Sequence, residues 1–391
     1  MSKPAIKILI AGGGTGGHVQ PAVATIQALR RRLPVELLWI GSQDGLERRS
    51  ARAEGIPFLP ISTGKLRRYF SLRTPVDGLR VPVGIMQAYW IIRRYHPDVV
   101  FSTGGFVSVP GVIAARMVGV PSLSHEQTAI AGLATRINAR FCDVVALSFE
   151  TSAAALSGSR ARIAVTGNPV RPDILRGNAA AARERFGLSD DLPVIYITGG
   201  ALGAHAINDA VRGLLPELLS ITQVVHQCGP AQGNGDYPRL VAAREQLPPD
   251  LRRRYVVTEF LGPELADVYA AARLVVGRAG AGTVAELAAL GKPSILIPLP
   301  GTGGDEQTRN AGILAMARAS LLLPQSALTP DHLGKAISSL LSDDSRLQTM
   351  AASARLQARS DAAELLVDQL LQLAWASTTP LSGALERIGK R

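Results

Sequence analysis

Short continuous apolar runs, turns of glycine and polar residues, and stretches with helical spacing follow one another throughout this 391-residue chain. In the first half the apolar runs fall at 6–11, 35–41, 58–62, 98–102, 122–125 and 144–148. In the second half they fall at 194–198, 224–228, 255–258, 274–277, 294–298 and 321–323. Runs of this length without alternation predict strands covered on both faces, and helical stretches between them (22–33, 46–54 and 107–118 among others) predict the covering layers. The fold class is therefore α/β, with parallel sheets. The chain also exceeds the size at which a single core usually divides, which predicts two domains.

An internal echo supports a pair of similar halves. Gly12-Gly13-Gly14-Thr15-Gly16-Gly17-His18 follows the first run, and Gly199-Gly200-Ala201-Leu202-Gly203-Ala204-His205 follows the first run of the second half. Both read Gly-Gly-small-x-Gly-small-His, and a period this long means a duplicated domain rather than a solenoid. The expected division is a first domain at 1–165 and a second at 166–358, with turn residues Gly167-Asn168-Pro169 at the join. A helix at 359–376 is expected to pack back on the first domain, and 377–391 reads as a tail.

Charge sharpens this picture. Residues 1–165 carry 20 Lys and Arg against 9 Asp and Glu, whereas 166–391 are balanced at 22 of each, so the whole net charge of +11 lies in the first half. An anionic partner is expected there: nucleic acid, an acidic membrane surface or a phosphorylated substrate. The segment Lys65-Leu66-Arg67-Arg68-Tyr69-Phe70-Ser71-Leu72-Arg73 mixes basic and bulky apolar residues with no acid, which suits anionic headgroups. RNA rivals that reading for this segment alone, but no further basic and aromatic interleaving supports it. Val81, Ile85, Tyr89 and Ile92 have the spacing of a core-facing helix side. No run reaches the length of a membrane span. The start of the chain lacks the features of a signal peptide. Two cysteines, Cys142 and Cys228, offer no disulfide framework and suit a reducing compartment.

The chemistry gathers where strands hand over to helices. The first glycine loop lets backbone N–H groups approach an anion at a helix N-terminus, with the Thr15 hydroxyl beside them and Gly16 and Gly17 opening the helix. Its spacing is not that of a dinucleotide fingerprint, the acidic ribose ligand of such enzymes is missing, and so is a Walker lysine. His18 begins the helix and is placed to take a proton from a substrate hydroxyl; the plainer alternative is a packing histidine. Gly104-Gly105-Phe106 and His125-Glu126-Gln127-Thr128 lie at further strand ends, where Glu126 is either a second candidate base or a helix-start acid. In the second half, Arg278-Ala279-Gly280 leads into Ala281-Gly282-Thr283-Val284-Ala285-Glu286, small residues for a nucleotide phosphate with a carboxylate for ribose hydroxyls. The polar run 305–310, with Gln307 in it, either suits sugar hydroxyls or is an ordinary exposed helix start, and Arg171 suits a diphosphate at the interdomain cleft. No zinc-type spacing, no His-Glu-x-x-His and no Asp-x-Asp occurs, so no metal ligand set is named.

Taken in order, 13–18, 103–108, 125–127, 167–171, 258–260 and 307–311 resemble the peptidoglycan N-acetylglucosaminyltransferases that convert lipid I to lipid II (the MurG family, glycosyltransferase family 28), over residues 6–375. That resemblance implies a GT-B fold, two Rossmann-like domains facing a central cleft. It implies inverting, metal-independent transfer from UDP-N-acetylglucosamine to the 4-hydroxyl of undecaprenyl-pyrophosphoryl-MurNAc-pentapeptide. His18 and the glycine loop would face the acceptor. The backbone at Phe260 and Leu261 would meet uracil, Glu286 ribose, Gln307 the sugar and Arg171 the diphosphate region. The enzyme would be peripheral on the cytoplasmic face of the cell membrane, need no cofactor, bind no nucleic acid, and have other cell-wall synthesis proteins as further partners. The chain departs from the family pattern at Ala201-Leu202, where Ser-Gln is usual, and at Phe106, Thr128 and Glu306. Two other readings are another lipid acceptor on the same fold and a scaffold that binds nucleotide sugar without turnover.

Overall fold

The computed structural model describes residues 5–64, 74–301 and 304–378. The first sheet contains β1 (Ile6–Gly12), β2 (Val35–Gly41), β3 (Phe58–Pro60), β4 (Val99–Gly104), β5 (Ser122–Glu126), β6 (Val144–Leu147) and β7 (Arg162–Val165). Its strands are all parallel, in the order β3-β2-β1-β4-β5-β6-β7. The second contains β8 (Val194–Thr198), β9 (Gln223–Gln227), β10 (Tyr255–Thr258), β11 (Ala272–Gly277), β12 (Ser294–Leu296) and β13 (Ser320–Leu322). It is also parallel, in the order β10-β9-β8-β11-β12-β13. Each sheet thus runs outward from its first strand and then reverses, the doubly wound arrangement.

Consecutive β1 residues Ile8, Leu9 and Ile10 are wholly buried, because helices cover both faces of the sheet. β7 has no counterpart among the apolar runs. It is an edge strand whose residues are exposed or half-buried, so its sequence carries no continuous apolar signal. Helix α1 (Gly16–Arg32) begins six residues before the expected start at 22, taking in Gly16 and Gly17 despite their low helix propensity.

The chain divides into two compact units, the first ending at Pro169 and regaining the chain from Asp361, the second running Val170–Ser360. The first extends past 165 because Thr166 and Gly167 both donate backbone N–H groups to the Leu147 carbonyl. The helix Ala362–Thr378 belongs to this unit: Leu366, Val367, Leu370 and Leu371 enter the same core as Ile26 and Leu29 of α1. Arg31 and Arg32 reach Glu364 and Asp368 at 3.3 and 2.6 Å, exposed pairs that orient the helix more than they stabilise it.

Two buried histidines make stability depend on pH. Burial pushes His226 down to about 3 and His125 down to about 4, from an ordinary 6.5. His226 bonds Tyr255 Oη at 2.8 Å and Asn208 Oδ1 at 3.0 Å, in the second unit. Below pH 6.5 the unfolded chain takes up protons that the folded chain refuses, so stability is full above that pH and falls toward the folded values. Each histidine contributes about 1.4 kcal/mol per pH unit inside its window. The urea midpoint is expected to fall between pH 7 and pH 5, and His226→Gln to flatten that slope. An unchanged slope in the variant would mean that another group titrates.

Candidate active site

In the first sheet the strand order reverses between β1 and β4, so the loops leaving their carboxyl ends diverge and open a crevice, the usual ligand position in such sheets. The β1 loop is the glycine run. Trp39 holds it from below by donating its indole N–H to the Gly12 carbonyl at 3.0 Å. Glu47, on helix α2 (Leu46–Ala53) and wholly buried, accepts from the Gly14 N–H at 2.9 Å. Its other oxygen accepts from the Ser42 N–H at 2.8 Å and from the Ser42 hydroxyl. Gly13 has φ +155, and a Cβ there would stand 2.3 Å from the Glu47 carboxyl carbon. Thr15 is the N-cap of α1, but its hydroxyl makes no capping bond; it stays exposed beside Gly16 and Gly17.

His18 lies in the first turn of α1 and spans the crevice. Its Nδ1 is 2.9 Å from the Thr103 carbonyl at the end of β4 and 2.8 Å from Gln127 Oε1. Both partners only accept, so Nδ1 carries a hydrogen, and the neutral ring has its lone pair on Nε2. Gly104 and Gly105, at φ +83 and +75, lie against the ring; Cβ atoms there would come within 3.3 and 3.1 Å of it. Glu126 is placed differently. Its Oε1 accepts from the Thr128 N–H at 3.0 Å and hydroxyl at 2.7 Å, and its Oε2 from the Gly132 N–H at 3.0 Å. Glu126 and Thr128 are both buried within their own loop, so of the two candidate bases the geometry favours His18.

The second unit repeats the plan between β8 and β11. Gly203, at φ +73, packs so closely on 228–229 that a Cβ would stand 2.0 Å from the Cys228 carbonyl. Ala201 and Leu202 project outward, exposed, at the tip of this loop. Buried Gln227 ties the loop to the β10 side: its amide N–H donates to the Gly200 carbonyl at 3.1 Å and its Oε1 accepts from the Leu261 N–H at 3.0 Å. The Leu261 N–H is therefore engaged within the fold, while the Phe260 side chain stands exposed.

The helix Ala281–Leu290 follows β11 after the short turn Arg278-Ala279-Gly280. Ala281 and Val284 turn into the core, leaving only their backbone for a ligand, whereas Gly282, Thr283, Ala285 and Glu286 are half-buried. Glu286 Oε2 accepts from Tyr269 Oη at 3.1 Å. Burial raises the Glu286 pKa, against the lowering pull of Arg171 and the Tyr269 bond. Arg171 pairs with Asp173 at 3.4 Å, yet its buried Nε has no partner among the described residues. Gln307 opens the helix Glu306–Met316 and accepts from the Leu299 N–H at 3.0 Å.

His18, Thr15, Gly16 and Gly17 thus belong to one crevice, and Arg171, Glu286 and the helix start at 281–286 to another. Lys65, Arg67, Arg68, Tyr69, Phe70 and Arg73 lie outside the described residues. Helix α3 (Thr74–Tyr95) follows them directly in sequence. Ile92 is buried and Ile85 and Tyr89 half-buried on one side, while Val83, Met86 and Trp90 form an exposed apolar stripe on another. Glu47, Gln227 and Tyr269 have no signature in the sequence: an acid in a first helical turn, an amide in a strand and an aromatic in a helix each have an ordinary structural reading. No helix among the described residues is long and apolar enough to cross a membrane.

Two doubly wound units with glycine loops at both switch points are the architecture of the nucleotide-sugar glycosyltransferases of GT-B form. Residues 8–147 match the glycosyltransferase family 28 N-terminal domain and residues 194–366 its C-terminal domain. The chain is 40% identical, over 85% of its length and 90% of the relative's, to the UDP-N-acetylglucosamine–N-acetylmuramyl-(pentapeptide) pyrophosphoryl-undecaprenol N-acetylglucosamine transferase of Clostridium botulinum (strain Loch Maree / Type A3). With the enzyme of that name from Clostridium kluyveri it shares 39% identity, over 89% and 95% of the two chains. The crystal structure of Acinetobacter baumannii MurG superposes with a TM-score of 0.70 at 28% identity, covering 94% of this chain and 99% of that one. The UDP-GlcNAc 2-epimerase of Neisseria meningitidis shares the fold (TM-score 0.65, 15% identity, 94% and 100% covered). This chain belongs to glycosyltransferase family 28, in its MurG branch.

Proposed function

We propose that this enzyme transfers N-acetylglucosamine from UDP-N-acetylglucosamine to the 4-hydroxyl of the MurNAc unit in undecaprenyl-pyrophosphoryl-MurNAc-pentapeptide, turning lipid I into lipid II. The observation that carries the reading is the His18 ring, held with Nδ1–H on two acceptors, so that its neutral form presents the Nε2 lone pair, beside a glycine loop at a helix N-terminus. That loop receives the acceptor diphosphate. Nε2 then takes the proton of the 4-hydroxyl as its oxygen bonds to the sugar C1 from the face opposite the nucleotide. The bond from C1 to the UDP oxygen breaks, UDP leaves with the electron pair, and the configuration at C1 inverts.

In the second unit, Glu286 takes the ribose hydroxyls, and the backbone at 260–261 meets uracil. The Arg171 Nε, which has no partner among the described residues, and the N-terminus of Ala281–Leu290 meet negative charge on the departing diphosphate. Gln307 contacts the transferred sugar. Ala201 contributes through its backbone, since it has no hydroxyl to offer. Guanidinium and amide donors suffice for the leaving group, so the reaction needs no divalent ion. The protein is peripheral on the cytoplasmic face of the cell membrane, with the basic segment at 65–73 and the Val83, Met86 and Trp90 stripe as its contact.

Purified protein with UDP-N-acetylglucosamine and a short-chain lipid I analogue, in EDTA, is expected to yield the β-linked disaccharide. Donor binding without turnover would overturn the transfer. Turnover that appears only with added magnesium would overturn metal independence alone.

A further inference from the structure

Gln127 is almost wholly buried, and its amide can face only one way. Its Nε2 lies 2.8 Å from the Thr103 carbonyl, 3.1 Å from the His125 carbonyl and 3.0 Å from His125 Nδ1. Two of those partners are carbonyl oxygens that can only accept, so the NH2 group belongs there and Oε1 is turned to His18 Nδ1. His125 completes the arrangement from the other side. Its Nε2 stands 3.0 Å from the Gly167 carbonyl and therefore carries the hydrogen, which leaves Nδ1 as an acceptor for the Gln127 amide. Burial keeps that imidazole neutral.

We propose that Gln127, oriented by His125, is a positioning residue that fixes His18 in the Nδ1–H form and leaves Nε2 free to act as the base; this rests on the role proposed for His18 above. Hydrogen bonds run in one sense, from His18 Nδ1–H to Gln127, from the Gln127 amide to His125, and from His125 Nε2–H to Gly167. Turning the Gln127 amide would break its bonds to two carbonyls and set an NH2 group against Nδ1, driving the imidazole proton to Nε2. The base would then become a donor. When Nε2 takes a proton from substrate, the charge shared with Nδ1–H faces two oxygen dipoles, those of Thr103 and Gln127. A neutral amide thus stands where a carboxylate often supports a functional histidine. The two buried carboxylates of the neighbouring loops are turned elsewhere: Glu126 to Thr128 and Gly132, Glu47 to Gly14 and Ser42 beneath the loop.

The first test is nitrogen-resolved NMR of the full-length protein with labelled histidine, assigned by single substitutions. It needs no turnover, so it decides the arrangement even if the acceptor assignment fails. His18 is expected as the Nδ1–H form and His125 as the Nε2–H form; His18 protonated at Nε2 overturns the proposal. The second is Gln127→Met, which keeps length but removes donor and acceptor. Its kcat is expected to fall about 10- to 100-fold, with KM for UDP-N-acetylglucosamine within about twofold. The acidic limb of its kcat profile is expected about one unit lower in pH, because the imidazolium has lost an acceptor. An unmoved limb, with kcat and donor KM impaired alike, would make Gln127 a packing residue and overturn the proposal.

Discussion

Replacing His18 with alanine is expected to slow sugar transfer by about 10²- to 10⁴-fold while UDP affinity stays within about twofold. The selectivity follows from where the side chain stands. Its Nδ1 is bound to Thr103 and Gln127 in the first unit, whereas Glu286, Tyr269 and Arg171 stand in the second. The ring is half-exposed and sits on two glycines, so its loss opens space without leaving a hydrophobic cavity. Single-turnover rates with saturating donor, together with UDP titration, check this. Undiminished transfer would remove His18 as the base and return attention to Glu126, despite its bonds to Thr128 and Gly132.

Glu47→Ala is expected to give the second largest effect, by a different route. Its carboxylate accepts from two backbone N–H groups, at Gly14 and Ser42, from a wholly buried position. Alanine leaves both donors unsatisfied, at about 1–3 kcal/mol each, so the unit should lose several kcal/mol of stability. Glutamine is expected to be nearly as damaging, since either orientation of its amide presents NH2 to an N–H donor. The freed loop should no longer hold the acceptor: its KM is expected to rise about tenfold or more while donor KM changes little. Urea denaturation and acceptor titration of Glu47→Gln read the two consequences separately. Wild-type stability together with wild-type acceptor KM would show that the glycine loop keeps its shape without Glu47.

Both expectations turn on residues that the sequence shows unequally. His18 stands out because it follows a glycine run at a strand end, where the local pattern names both the helix start and the anion site. Glu47 lies 33 positions from the Gly14 that it supports, and only the pairing of β1 with β2 brings its helix beneath the loop. Gln127 sits in the His125–Thr128 run, yet in sequence the adjacent Glu126, as a candidate base, looks the more important residue. The fold reverses that order by turning Glu126 into its own loop and Gln127 toward the imidazole.

Elements followed the same division. Apolar runs marked the strands buried on both faces, but edge strand β7, with exposed and half-buried residues, had no such mark. Helix α1 starts earlier than the local pattern predicts because Gly16 and Gly17 disfavour helix locally, while the fold carries the helix to the loop's edge.

The amino-acid sequence by itself determined the α/β class, the duplicated glycine loops, the one-sided charge and the family, because each depends on residue type, order or local spacing. Tertiary structure alone decided which nitrogen of His18 carries the proton, which carboxylate supports the loop and which stays within its own turn. The first two outcomes depend on hydrogen bonds between residues tens of positions apart, 33 for Glu47 with Gly14, 85 for His18 with Thr103 and 109 for His18 with Gln127, and a donor's direction is set only when the strands that carry it are paired; the third is a local bond pattern that residue type alone does not announce.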